Sequence, residues 1–283
     1  MSELRANISG IIKSSVIDGP GNRMVLFFQS CQLNCMYCHN SHTIGLCNLC
    51  GHCVDICPTQ SLRIDPERKR IEHNANTCVK CDRCIRECPR SSSPFYREYS
   101  VEELLSEILE VRDFISGLTV SGGEVMLQSQ FLRVLFEGIR QRPELKDLSV
   151  LIDSNGRFEP KQWDEVLDLV DGFMIDVKAI SSEVHQQITG KDNHKILESI
   201  AYLNSLGKLD EVRMVVVPGY NDTKDEIEGF SRLLQSLSSD VRKVLIKMRK
   251  HGIRQEYAHL QSPTDVDMQR IWAQIGDAEV KIV

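Results

Sequence analysis

At 283 residues the chain is long enough for one large domain plus a small one. Its composition, 41% hydrophobic and 26% charged, is that of an ordinary globular protein, and a net charge of −6 gives no sign of a nucleic-acid partner. No stretch is long and apolar enough to cross a bilayer, and Met1–Ile8 carries no secretory pattern, so a cytoplasmic protein with reduced thiols is expected.

The first predicted element is a strand, Met24-Val-Leu-Phe-Phe28, a continuous apolar run of the kind buried on both faces. It leads into Cys31, Cys35 and Cys38, spaced C-x3-C-x2-C. Two more sets follow: Cys47, Cys50, Cys53 and Cys57 before Pro58, then Cys78, Cys81, Cys84 and Cys88 before Pro89. Each reads C-x2-C-x2-C-x3-C-P, the bacterial ferredoxin run. These sets use all 11 cysteines, the ligand count for three four-iron clusters, one of which keeps an iron without a protein ligand. Zinc is the other metal that uses C-x2-C pairs, but it usually takes two pairs across a longer spacer and has no need of this compression.

The stretch from about Cys47 to Pro89 is short of large apolar residues and reads as an insertion. Leu62 and Ile64 alternate with polar residues, Asp65-Pro66 marks a turn, and Ile71 starts the return. That is a small hairpin between two cluster loops, with Arg68-Lys69-Arg70 as a solvated tip. So small a unit builds little core, and the clusters themselves would hold it together. The expected division is a barrel from residues 1–45 and 90–283, with a ferredoxin-like insertion at 46–89.

Beyond the insertion, strands and helices alternate. Ser100-Val-Glu-Glu103 is a capping box, and Val101, Leu104, Leu105 and Ile108 form one apolar helical face. Strands are predicted at Leu118–Val120, Ser149–Ile152, Gly172–Ile175, Val212–Val217 and Val244–Ile246. Helices are predicted at Gln128–Arg140, Lys161–Val170, Ile196–Leu206 and Lys224–Leu237. Six or more β-α units in series argue for a parallel α/β sheet curved into a partial (β/α)6-type barrel.

Most strands end in a polar motif: Ser121-Gly-Gly-Glu124, Asp153-Ser-Asn-Gly156, Asp176-Val-Lys178, and Pro218-Gly-Tyr220 after Arg213. Singly, each could be a turn or an ion pair. Together, at the strand ends where parallel α/β proteins bind ligands, they suggest one shared site. A free iron corner suits an α-amino acid, which chelates through its amine and carboxylate. The Gly122-Gly123-Glu124 turn could accept from the amine, and Lys178 or Arg213 could meet the carboxylate.

The triplet with Tyr37 before its last cysteine, followed by Gly-Gly-Glu, resembles a radical S-adenosylmethionine (SAM) enzyme. Asp18-Gly-Pro-Gly-Asn-Arg23 is similar to the Gly-Pro-Gly-x-Arg signature of glycyl radical enzyme activating enzymes. Cys38-His39-Asn40, Asp153–Gly156, Asp176–Lys178, His185–Gly190 and Val217-Pro-Gly219 also match that family, nearest to its YjjW branch. The resemblance implies that Cys31, Cys35 and Cys38 hold the catalytic cluster and that the Tyr37, Cys38 and His39 backbone contacts adenine. It implies that Gly123, with Gly122 and Glu124, holds the methionine amine, and that Asp176, Val177 and Lys178 contact the cofactor. A monovalent cation is expected at Asp153, Ser154, Met174 and Asp176. Arg249 matches a histidine of the relatives, with His251 two positions on. No acid–base residue is required.

The activity so implied is reductive cleavage of SAM and hydrogen abstraction from a glycine in the C-terminal loop of a partner glycyl radical enzyme. For the other two clusters, crossed ligation is expected, as in two-cluster ferredoxins: Cys47, Cys50, Cys53 and Cys88 for one, and Cys78, Cys81, Cys84 and Cys57 for the other. Two roles are open to them, relaying electrons from a flavodoxin or ferredoxin, or shaping a docking surface. Three rivals are a radical enzyme with a peptide or small-molecule substrate, a ferredoxin-like carrier, and a zinc-stabilised interaction module. The first leaves the Gly-Pro-Gly-x-Arg segment unexplained. The second leaves the triplet and strand-end motifs without use.

Overall fold

The computed structural model describes residues 4–283. In chain order its strands are β1 (Arg5–Ser15), β2 (Arg23–Phe28), β3 (Leu62–Asp65), β4 (Arg70–His73), β5 (Arg97–Ser100), β6 (Gly117–Gly122), β7 (Ser149–Ser154), β8 (Gly172–Asp176), β9 (Leu209–Val216), β10 (Arg242–Lys247) and β11 (Lys281–Ile282). Its helices are α1 (His52–Asp55), α2 (Arg83–Arg86), α3 (Val101–Val111), α4 (Ser129–Gln141), α5 (Pro160–Trp163), α6 (Ser182–Thr189), α7 (His194–Ser205), α8 (Lys224–Gln235) and α9 (Asp265–Ile275).

One sheet runs in the order β11-β10-β9-β8-β7-β6-β2-β1-β5, and β3 pairs with β4 separately. From β2 to β11 every pairing is parallel, whereas β1 lies antiparallel between β2 and β5. The six long parallel strands are those whose apolar runs the sequence marks. The sheet is open, since among the described residues no ladder joins β5 to β11.

One face of the sheet packs against the helices. Leu26, Leu118, Val120, Ile152 and Phe173 share a buried core with Leu104 and Leu105 of α3 and Phe131, Leu135 and Phe136 of α4. Successive strand side chains point to opposite faces, so Arg23, Thr119, Asp153, Asp176 and Arg213 fall on the other side. Arg23 is 1% exposed there. Its guanidinium donates to Thr119 Oγ1 and the Leu118 carbonyl at 2.7 Å, and to the Ser149 carbonyl at 3.0 Å. The arginine of the Gly-Pro-Gly-x-Arg segment thus satisfies groups at the amino-terminal ends of β6 and β7.

The structure differs from the sequence reading in four places. The run at 24–28 belongs to the second strand, because β1 precedes it as a hairpin partner. The helix expected over Lys161–Val170 is helical only through Trp163 and continues as tight turns, with Val166 N bonded to Trp163 O and Leu169 N to Val166 O. The buried spacing of Trp163, Val166 and Val170 suits such turns as well as it suits a helix. Strands β5 and β11 and helices α1, α2, α6 and α9 have no counterpart among the predicted elements. Helix α4 starts at Ser129 after a tight turn at Val125–Gln128.

Candidate functional site

The carboxyl ends of the parallel strands meet around the loop that carries Cys31, Cys35 and Cys38. That loop is held by backbone bonds from both sides: Cys31 N to Ile44 O (2.9 Å), Asn34 N to Thr189 O (3.0 Å) and Met36 N to Ile188 O (2.9 Å). The His185–Gly190 segment, noted in the sequence only as a family likeness, therefore cradles the cysteine loop with the end of α6. Cys35 is 8% exposed, and Cys31 and Cys38 are partly buried. Burial, reinforced by the Glu124 carboxylate, pushes the Cys31 thiol up to about 12. Burial likewise raises Cys35 to about 11, against the pull of the Lys178 ammonium. Bare thiolates are costly here, and bound iron would supply the missing positive charge.

The glycine turn after β6 presses on this loop. Gly123 N donates to Phe28 O (2.8 Å) and Glu124 N to Ser30 O (2.7 Å). A Cβ on Gly123 would come within 2.1 Å of Ser30 O, so only glycine permits the approach. Glu124 is completely buried. One of its oxygens accepts from Met126 N (3.1 Å) and Ser154 Oγ (2.8 Å), the other from Asn155 N (2.8 Å). Both oxygens are thus engaged within the protein, and Glu124 braces the turn to the end of β7 rather than presenting a free carboxylate. Burial pushes its pKa up to about 7, although each of those donors favours the charged form.

A charged group lies beside the turn. Arg213 joins Asp153 and Asp176, with Nε 2.8 Å from Asp176 Oδ1, and Ser121 Oγ donates to the other oxygen of Asp153 at 2.8 Å. Lys178 Nζ stands 3.0 Å from Asp176 and 5.7 Å above the centre of the Tyr37 ring. Burial alone would raise Asp176, but Arg213 and Lys178 outweigh it and hold its pKa at about 2. Burial opposes the Lys178 charge, yet Asp176 keeps its pKa well above the ordinary lysine value. Asn221, fully buried, donates to the Lys178 and Val215 carbonyls at 2.8 Å and ties the ends of β8 and β9 together.

The other sequence candidates are spread around this centre. The Val177 side chain packs in the core, and its backbone N–H donates to the Arg213 carbonyl at 2.8 Å. His39 Nε2 lies 2.8 Å from the backbone carbonyl of Arg249, and Ser41 Oγ donates to Gly252 O. The 249–252 loop therefore touches the cysteine loop through its backbone, and His251 is exposed. The side chains of the expected cation set go to different partners: Asp153 and Asp176 to Arg213, Ser154 to Glu124, and the Met174 sulfur to Arg242 at 3.7 Å.

Sequence reasoning missed two residues. Arg254 donates to Asn34 O (3.1 Å) and Cys35 O (3.3 Å), 220 and 219 positions away. Asn155 Nδ2 reaches Cys31 Sγ at 3.7 Å. Asn155 had a signal, being part of the Asp-Ser-Asn-Gly turn. Arg254 had none.

The cysteine-rich segment has its own cavities. One, of about 520 Å³, is lined by Cys57 together with Cys78, Cys81 and Cys84. A smaller one is lined by Cys47, Cys50, Cys53 and Cys88, and by Cys84 as well. The last cysteine of each run thus faces the first three of the other. Burial, with Cys47, Cys88 and Cys50 as like-charged neighbours, raises Cys53 to about 11.

An open, mostly parallel α/β sheet with a three-cysteine loop at its strand ends defines the radical SAM fold class. The sequence matches the family model "Radical SAM superfamily" over residues 25–234, about three quarters of the chain. It is 33% identical to the trans-4-hydroxy-L-proline dehydratase activating enzyme of Clostridioides difficile, over 76% of this chain and 75% of that protein. It is 32% identical to the choline trimethylamine-lyase activating enzyme of Oleidesulfovibrio alaskensis (83% and 80%) and 30% identical to the pyruvate formate-lyase 1-activating enzyme of Escherichia coli K12 (79% and 72%). Among solved structures, a domain of a pyruvate-formate lyase-activating enzyme from Bacteroides vulgatus shares the fold, with a TM-score of 0.51 and 22% identity over 59% of this chain and 99% of that one. The chain belongs to the radical SAM superfamily, among enzymes of the glycyl radical enzyme activating class. Membership implies a four-iron cluster and SAM as cofactors. No helix among the described residues is long and apolar enough to cross a membrane.

Proposed function

We propose that this enzyme splits SAM on a cluster held by Cys31, Cys35 and Cys38 and activates a glycyl radical enzyme by abstracting hydrogen from one of its glycines. The observation that carries this is the gathering of three thiols, a glycine turn and a lysine–aspartate–arginine group at one set of strand ends. When bound and reduced, such a cluster would supply the one-electron reduction that splits SAM, and the hydrogen atom would come from the α-carbon of the partner's glycine.

The chain's own residues orient and shield. The backbone at Gly122–Gly123 would accept from the methionine amine while Glu124 holds the turn in place. Lys178, 7% exposed and charged, would meet the methionine carboxylate. Arg213 would keep Asp153 and Asp176 ionised without leaving their charge uncompensated. The Tyr37, Cys38 and His39 backbone would lie along the adenine. Tyr37, Met36, Ile188, Val217 and Met248 form a buried apolar cluster that would keep water and stray hydrogen donors from a primary radical.

The segment at 46–89 is proposed as a ferredoxin-like insertion with two more clusters in crossed ligation. What supports the crossing is the company of Cys57 and Cys88, each sharing a cavity with the three leading cysteines of the other run. A flavodoxin or ferredoxin would then be the electron donor.

The test is anaerobic. Reduced enzyme is mixed with SAM and a glycyl radical enzyme carrying an intact C-terminal glycine loop. The expected result is 5′-deoxyadenosine by chromatography together with a glycyl radical signal by electron paramagnetic resonance (EPR). Absence of both rejects the proposal. 5′-Deoxyadenosine without the radical, across a panel of partners, would retain the cleavage and reject the partner class.

A further inference from the structure

The Asn155 side chain enters none of the roles above, yet it places a side-chain donor against Cys31 Sγ, beside the backbone N–H of Leu33 at 3.4 Å. Asn155 is 7% exposed and lies in the turn that follows β7. Its Nδ2 is 3.7 Å from Cys31 Sγ and 3.3 Å from Gln32 Oε1. The amide cannot be the other way round, because its Oδ1 accepts from the backbone N–H of Arg157 at 3.0 Å. Gln32 Nε2 approaches the same Oδ1 at 3.4 Å, so the two amides pair reciprocally. The backbone N–H of Asn155 is committed separately, to Glu124. One residue therefore links the glycine turn to the cysteine loop.

We propose that Asn155 is a positioning residue that sets the reduction potential of the cluster held by Cys31, Cys35 and Cys38, through an N–H···S bond to the Cys31 thiolate. This rests on the reading that Cys31 is a ligand of that cluster. Reduction by one electron adds negative charge to the iron and its sulfurs. A donor aimed at a ligand sulfur stabilises the more negative state and so raises the potential. In a buried site this effect is screened less than at a surface. Asn155 thereby makes the cluster easier for a protein donor to reduce, at the cost of some driving force toward the sulfonium. Because the same residue is tethered to Glu124, a shift of the glycine turn on SAM binding would move the donor relative to Cys31. The cofactor's arrival would then be felt at the cluster.

The test uses holoenzyme without SAM or partner and reads the midpoint potential by EPR-monitored redox titration. Asn155→Asp keeps the acceptor for Arg157 N–H, removes the donor and adds a charge. Asn155→Leu removes the donor without adding one. Neither alters the backbone bond to Glu124. At a poise where the unaltered cluster is half reduced, the reduced-to-oxidised ratio in Asn155→Leu is expected to fall about tenfold, a shift of about 59 mV to lower potential for one electron. Asn155→Asp should fall further. Cys31→Ala is the control for the underlying reading: loss of that cluster's signal leaves the ligand assignment standing. An unchanged midpoint in Asn155→Leu then overturns the present proposal alone.

Discussion

Gly45 donates its backbone N–H to the carbonyl of Ser91 at 2.9 Å, and its Cα lies so close to Arg90 that a Cβ would come within 1.9 Å of that residue's carbonyl oxygen. The two ends of the cysteine-rich segment are thereby fastened together at its root. The obstacle is backbone, which cannot rotate away. Gly45→Ala is expected to lower stability by about 1–3 kcal/mol, the range for overpacking in a well-filled site. It should also reduce iron from the 46–89 segment while the Cys31 cluster persists. Thermal unfolding and iron per chain check this, and an unchanged melting temperature would contradict it.

Arg213 compensates two carboxylates at once. Arg213→Met would leave Asp153 and Asp176 facing each other with one neighbouring cation, Lys178. Removing one partner from such a buried network costs about 3 kcal/mol. Arg213→Lys should recover only part of this, because a point charge cannot bridge both acids as the guanidinium fork does. Equilibrium denaturation of the three proteins gives the ranking.

Lys178 carries the charge expected to meet the SAM carboxylate. Lys178→Met should weaken SAM binding by about 10–100-fold, the loss of one charge-assisted hydrogen bond, while iron content holds. Isothermal titration under anaerobic conditions would read it. Unaltered affinity would move the carboxylate contact elsewhere.

Glu124 has a folded pKa raised to about 7 from an ordinary value of 4.5. Its protonated form is favoured by folding, so its contribution is fully present below pH 4.5 and is lost as pH rises toward 7. Stability should decline across the upper part of that window, from pH 5 to 7. Glu124→Gln, which does not titrate, should be less stable overall because Asn155 N–H loses its acceptor, but its stability should vary less with pH there. Parallel slopes for the two proteins would count against the raised value.

The crossed cavities lead to a further expectation. Replacing Cys57 and Cys88 together with serine should damage both auxiliary sites and spare the first cluster, whereas uncrossed ligation predicts the same total loss from the double variant. The single variants separate the two. Cys57→Ser should perturb the site of Cys78, Cys81 and Cys84, and Cys88→Ser that of Cys47, Cys50 and Cys53, as read by EPR of the reduced protein. The opposite assignment would refute the crossing.

Much of this enzyme was legible along the chain because the relevant physics is local. Cysteines spaced by two or three residues share a loop wherever that loop lies. Apolar runs of three to six residues make buried parallel strands, and all six are visible. Ser100 and Glu103 cap α3 reciprocally within a single turn. The edge of the sheet was harder to read. β1 is half exposed and interrupted by irregular pairing near Gly10, so it lacks the continuous run that announces a buried strand. β5 is four residues long and gains its structure from β1.

Spacing, composition and turn chemistry define the cysteine sets, the strand-end motifs and the family. They do so because neighbouring residues in sequence stay neighbours in space. Folding assigned the partners: Glu124 to the backbone of Asn155, Arg254 to the carbonyl of Cys35, Cys88 to a cavity shared with Cys47, Cys50 and Cys53, and Asn155 to the sulfur of Cys31 across 124 positions. Such pairs form only when the sheet brings distant strand ends into register, and no local pattern carries that distance.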